Sequence, residues 1–110
     1  MPYNSSVVSF IETKLFTRLV QEYLTDDAYC KLQAALIERP EAGDLIRGSG
    51  GVRKLRWQAP GRGKRGGYRV IYYAKMDQKV IWMLSMYPKN VADNIPAHVL
   101  RAIRKEVEDG

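Results

Sequence analysis

Apolar residues recur at helical spacing in the first forty positions and at alternate positions after residue 52, so a change of period divides the chain. Leu15, Phe16, Leu19, Val20, Tyr23 and Leu24 form one apolar stripe, which predicts a helix. Thr25 then supplies a cap and Asp26 and Asp27 put negative charge where a second helix begins, while Leu32, Ala35 and Leu36 give that helix a buried side. Pro40 follows its end, and the two helices read as a hairpin. Ahead of them, residues 7–11 are a short β-branched and aromatic run that predicts a strand.

Over residues 52–57, Lys54 and Arg56 share one face of an alternating run and Leu55 and Trp57 the other. A strand here buries one side and offers cations on the opposite side. The runs 68–75 and 79–87, rich in Val, Ile, Tyr and Trp, flank a tight Asp77-Gln78 turn and predict an antiparallel hairpin. Both are apolar over most of their length, as central strands are. Pro96 suits a first helical turn, and Val99, Leu100, Ile103 and Val107 then fall on one side of a closing helix. The resulting class is α+β: a small antiparallel sheet with an N-terminal helical hairpin and a C-terminal helix, the helices covering one face and leaving the other open. At 110 residues, positions 1–110 are expected to form a single domain.

Charge sharpens this picture. Residues 45–76 hold nine of the 18 basic side chains (Arg47, Arg53, Lys54, Arg56, Arg62, Lys64, Arg65, Arg69 and Lys75) and none of the 12 acidic ones, so this window alone accounts for the net charge of +6. The cations are interleaved with Trp57, Tyr68, Tyr72 and Tyr73. A local cationic surface carrying aromatic rings suits a polyphosphate, and RNA is the expected partner. Lys54, Arg56 and Arg69 are the sharper candidates, because strand positions hold cations rigidly where negative charge accumulates during phosphodiester cleavage. The bland alternative is that cations at strand ends keep a sheet edge from aggregating.

Gly61, Gly63 and Gly66 satisfy the G-x-G-x-x-G pattern, but a strand pattern follows where a dinucleotide-binding turn needs a helix. The segment 60–67 therefore reads as a loop between strands, with Arg62, Lys64 and Arg65 able to wrap a phosphate backbone. No carboxylate pair accompanies the cluster, and the single His98 falls on the closing helix as a surface residue. If RNA is cut, its own 2′-hydroxyl is the expected nucleophile, with arginines stabilising the phosphorane and a lysine moving the proton. No metal-ligand spacing occurs, and neither a metal nor another cofactor is expected. Cys30 is a lone thiol in a predicted helix, in keeping with a reducing compartment. The chain shows no membrane-spanning run and no signal-peptide pattern, so a cytoplasmic protein is expected.

Three blocks carry a family likeness: G-D-L-I-R-G-S-G-G-V-R-K-L-R-W from Gly43, G-R-G-K-R-G-G-Y-R-V-I-Y-Y from Gly61, and M-Y-P-K-N from Met86 to Asn90. They resemble the RelE superfamily of bacterial toxins, most closely its HigB branch, over about half the chain. The resemblance implies the toxin of a type II toxin–antitoxin module, a ribosome-dependent endonuclease that cleaves mRNA in the ribosomal A site without a metal. It further implies a 2′,3′-cyclic phosphate and a 5′-hydroxyl as products, and a HigA-like helix-turn-helix antitoxin through which the protein meets operator DNA. By motif, Lys54 and Arg56 match the paired basic strand residues, Arg69 the arginine at the scissile phosphate, and Lys89 the C-terminal basic position. RelE itself carries an arginine and then a tyrosine in that last region, whereas this chain reads Lys89, Asn90, Val91. Tyr87 is the aromatic that can replace the missing one. Arg53, Arg62, Lys64, Arg65, Tyr68 and Tyr87 complete the expected RNA-binding set.

Two other functions fit the same residues. The first is a non-catalytic RNA- or ribosome-binding regulator that uses the cations only for affinity, and the second is an interaction module that docks an acidic helix.

Overall fold

The computed structural model describes residues 7–58, 67–89 and 96–109. Its elements in order are β1 (Ser9–Glu12), α1 (Lys14–Tyr23), α2 (Asp26–Glu38), β2 (Asp44–Leu45), β3 (Arg53–Trp57), β4 (Tyr68–Lys75), β5 (Val80–Pro88) and α3 (Ala97–Asp109). The strands form a sheet in the order β1-β5-β4-β3-β2. Neighbours from β2 to β5 are antiparallel, as expected, and β1 adds a parallel edge beside β5, with Ser9 opposite Val80 and Glu12 opposite Met83. The intervening hairpin of helices is what allows β1 to run in the same direction as β5.

Each helix of the hairpin starts on a threonine. Thr13 Oγ1 accepts the Phe16 N–H at 3.0 Å and donates to the Leu84 carbonyl at 2.8 Å, fixing the start of α1 to β5. Thr25 Oγ1 accepts the Ala28 N–H at 3.1 Å, and Asp26 and Asp27 occupy the first turn of α2 where the helix dipole favours them. Phe16, Val20, Leu24, Leu32 and Leu36 pack against Val70, Tyr72, Ile81, Met83 and Met86 of the sheet. Leu15, expected in the apolar stripe, stands at its margin and is 42% exposed. The carboxylate of Glu12 accepts hydrogen bonds from the Thr17 and Tyr29 hydroxyls, both at 2.6 Å, which joins β1 to both helices. Burial, reinforced by the Glu12 carboxylate, holds the Tyr29 phenol well above its ordinary range.

The predicted hairpin forms, with Gln78 and Lys79 N–H groups closing the turn onto the Lys75 and Met76 carbonyls and Lys79 taking the left-handed conformation. Between the Ile71–Ser85 and Tyr72–Met83 pairs, Leu84 is an extra residue on β5. Tyr72 is a core residue, not part of a cationic surface. Its hydroxyl donates to the Pro40 carbonyl at 2.7 Å and accepts the Gly43 N–H at 2.9 Å, anchoring the chain between α2 and β2.

One expectation is corrected here: the helices do not share a face. α3 lies on the side of the sheet opposite α1 and α2, where Leu100 closes over Val52, Ile71, Leu84 and Tyr87, and Ile103 and Val107 pack at the margin. The physical reason is that β4 and β5 are apolar on both faces, so a second layer is needed to keep Ile71 and Leu84 from water. Arg101 hydrogen-bonds the Gly48 carbonyl and Arg104 lies over the Tyr73 ring at 5.4 Å, fastening α3 to the β2–β3 turn and to β4.

Candidate nucleic-acid interface

On the face that α3 covers only in part, strand pairing brings the cations together. Arg56 of β3 stands directly opposite Arg69 of β4, and Arg69 in turn stands opposite Tyr87 of β5. Lys54, two residues before Arg56, shares this face and pairs with Ile71. Lys54, Arg56 and Arg69 thus point to one side of the sheet. Like charges directly across an antiparallel pair repel, so the Arg56–Arg69 pair costs folding energy that an anion between them would relieve. Lys89 follows β5, its N–H bonded to the Gly67 carbonyl at 3.1 Å. Gly67 has a φ of 57°, and a Cβ there would meet the Trp57 carbonyl oxygen at 2.5 Å. Glycine at this point therefore lets the ends of β3, β4 and β5 converge.

Their convergence forms a cleft of about 370 Å³ lined by Arg56, Trp57, Gln58, Arg69 and Lys89. These lining residues include three cations and one amide, with neither a carboxylate nor an imidazole, while the Trp57 side chain packs on the α1–α2 side of the sheet. Such a set can hold a phosphate and stabilise added negative charge on it. Among the described residues, no group of three or more His, Cys, Asp or Glu side chains could hold a metal, and no helix is long and apolar enough to cross a membrane.

The remaining candidates divide by strand parity. Lys54 lies on the cationic face but not in the cleft wall, across from Asp44 of β2. Arg53 is on the opposite face, where its guanidinium donates to the Gly43 carbonyl at 2.8 Å and tethers the chain entering β2. Tyr68 also faces away, because it pairs with Trp57, and its ring packs against Tyr23 at 5.2 Å between centroids. Tyr87 does share the face of Arg69, but it packs with Leu100 in the α3 core and is 8% exposed, so its ring has no free side for a base. Arg62, Lys64 and Arg65 fall outside the described residues. Trp57 and Gln58 were absent from the expected site. Proximity to Arg56 was the signal that could have found them, since the end of a strand beside a required cation shares its surroundings.

A sequence profile described as "RelE toxin of RelE / RelB toxin-antitoxin system" matches residues 9–108. The chain belongs to the RelE toxin family. Membership makes it a toxin of the toxin–antitoxin kind. Its fold is also that of solved RelE structures. A free-state mutant of the E. coli toxin RelE matches with a TM-score of 0.58 at 16% identity, covering 88% of this chain and 96% of that one. A chain of the archaeal RelE–RelB complex from Pyrococcus horikoshii OT3 matches at 0.54 and 22% identity, over 77% of this chain and 98% of that one. A chain of the intact E. coli RelBE complex matches at 0.54 and 18%, over 80% and 100%. At these identities the likeness is one of fold. The five-stranded sheet and the helices on its two sides are the RelE arrangement.

Proposed function

We propose that this RelE-family toxin is a metal-independent endoribonuclease that cleaves mRNA in the ribosomal A site and so stops translation in the cytoplasm. The observation that carries the reading is the cleft in which Arg56, Arg69 and Lys89 converge. In the reaction the RNA's 2′-hydroxyl passes its proton to solvent and its oxygen bonds to the adjacent phosphorus. The phosphorus–O5′ bond then breaks, leaving a 2′,3′-cyclic phosphate, and the departing 5′-oxygen takes up a proton. Arg56 and Arg69, held on paired strands, meet the charge that builds on the phosphorane oxygens. Lys89, at the mouth of β5, is positioned to protonate the leaving oxygen, and Lys54 adds attraction for the flanking backbone. The described lining offers no carboxylate or imidazole, and the ribosome's alignment of the substrate contributes through proximity and orientation.

An antitoxin partner follows from the family and from the solved RelE–RelB complexes. We assign it the HigA-like, helix-turn-helix type on the HigB-like sequence blocks, with contact to operator DNA made by the antitoxin. An adjacent reading frame encoding such a protein tests this assignment.

The lack of a carboxylate or imidazole in the described lining favours a second reading, a ribosome-binding regulator without catalysis. Arg69→Ala separates the two. For an endonuclease, new mRNA 5′ ends mapped by primer extension disappear, with a loss of at least about a hundredfold in rate, while much of the ribosome affinity survives. Parallel loss of affinity and toxicity, with no cleavage by the unmodified protein, establishes the regulator instead.

A further inference from the structure

We infer that the cleft is regulated by free phosphate: a phosphate dianion, whether inorganic or terminal on a nucleotide, binds among Arg56, Arg69 and Lys89 more tightly than a phosphodiester does, and so competes with RNA. The competition rests on the RNA-binding reading of the cleft and names a regulator of that same site; the binding itself does not depend on that reading. The three cations come from different places in the fold, Arg56 from β3, Arg69 from β4 and Lys89 from just beyond β5, and they line one cavity of about 370 Å³. Strand pairing sets Arg56 opposite Arg69 whether or not a ligand is present, so their repulsion is built into the folded state. Lys89 is brought to them by its backbone bond to Gly67. Arg69 also interacts within the protein, but a guanidinium carries five N–H donors and keeps some for an anion.

Charge decides which anion suits such a site. A phosphodiester carries one negative charge, whereas a phosphomonoester carries about 1.5 to 2 near neutral pH. The added charge meets three cations at once, and the described lining sets no carboxylate against it, so a preference of about tenfold or more is expected. The phosphorane that precedes strand scission is likewise doubly charged, and a site that stabilises it holds the same charge on a stable ion. The 2′,3′-cyclic phosphate left by cleavage is a diester with a single charge. It therefore leaves the cleft more readily than free phosphate does. An ion bound only by the folded chain also stabilises that chain, and the gain follows the filling of one site.

The test titrates inorganic phosphate, uridine 3′-monophosphate and dimethyl phosphate into the unmodified protein at constant ionic strength, following amide NMR shifts and urea unfolding. Both dianions are expected to shift the resonances of the cleft along a saturating curve, to raise the urea midpoint, and to bind about tenfold tighter than dimethyl phosphate. Arg56→Gln, freed of the cross-strand repulsion, is expected to unfold at a higher urea concentration than the unmodified protein when phosphate is absent, and to bind phosphate at least about tenfold more weakly. Arg53→Ala, altered on the far face, keeps the phosphate response. Similar affinity for the two dianions makes inorganic phosphate the regulator; a tighter nucleotide assigns that role to RNA ends. Shifts that never saturate and persist in Arg56→Gln are a general salt effect and overturn the inference, as does dimethyl phosphate binding as tightly as the dianions. Competition is read on ribosomes at constant free magnesium, where phosphate should raise the apparent KM for cleavage and leave kcat unchanged. An unmoved KM at phosphate concentrations that fill the site overturns the regulation. If the unmodified protein cuts nothing, the nuclease reading fails by itself, and competition is decided with a fluorescent oligouridylate: its displacement by phosphate sustains the inference, and undisturbed binding ends it.

Discussion

Arg53, Lys54 and Arg56 lie within four positions of one another yet do different work, because each step along a strand reverses the side chain. Arg56 meets Arg69 at the cleft, whereas Arg53 binds the Gly43 carbonyl on the far side of the sheet. Their replacement by alanine should separate affinity from stability. Arg56→Ala is expected to lower the slope of log affinity for RNA against log salt by about one, the share of a single phosphate contact. Arg53→Ala should leave that slope unchanged and lower the unfolding free energy by about 1 kcal/mol, measured in urea, because the Gly43 carbonyl loses its donor. Charge counting over residues 45–76 located the cationic region but could not make this distinction. Tyr68 shows the same limit: as an aromatic beside Arg69 it looked like a stacking residue, and parity turned it toward Tyr23.

At the scale of elements, hydroxyl groups fasten the helices to the sheet. Tyr29 binds Glu12 at the end of β1, and Tyr72 bridges Pro40 and Gly43 between α2 and β2. Burial raises both phenols above the ordinary value of 10.0. Above about pH 10 the unfolded chain releases these protons while the folded chain keeps them, so folding stability falls as pH rises from that point. Tyr29→Phe should make the decline between pH 9 and 11 shallower by up to about 1.4 kcal/mol per pH unit, read from urea unfolding at each pH. The helical hairpin, its threonine cap at Thr25, the β4–β5 hairpin and the closing helix were all legible from period and turn chemistry. β2, two residues long, was not, since it exists only through pairing with Lys54 and Arg53.

For the molecule as a whole, α3 decides which part of the cationic face stays open. Leu100, 1% exposed, is its anchor on Ile71, Leu84 and Tyr87. Leu100→Ala should cost about 2–4 kcal/mol in urea unfolding and leave a cavity over these residues. The amphipathic spacing of Val99, Leu100, Ile103 and Val107 announced that this helix packs on something, but the expected arrangement left one face of the sheet open although β4 and β5 are apolar on both sides. The spacing did not say that α3 takes the face carrying Arg56 and Arg69, and so Tyr87 was expected to be available for stacking when it is buried. The sequence by itself determined the elements other than β2, the sign and location of the charge, the family likeness and the shared side of Lys54 and Arg56, because period along a strand or helix is a local property. Tertiary structure alone decided the parallel placement of β1, the register that sets Arg69 opposite Arg56, the side taken by α3, the burial of Tyr87 and the meeting of Trp57, Gln58 and Lys89 at one cleft. Those features arise from contacts between residues far apart in the chain, and no local pattern specifies which surfaces come together when the layers close.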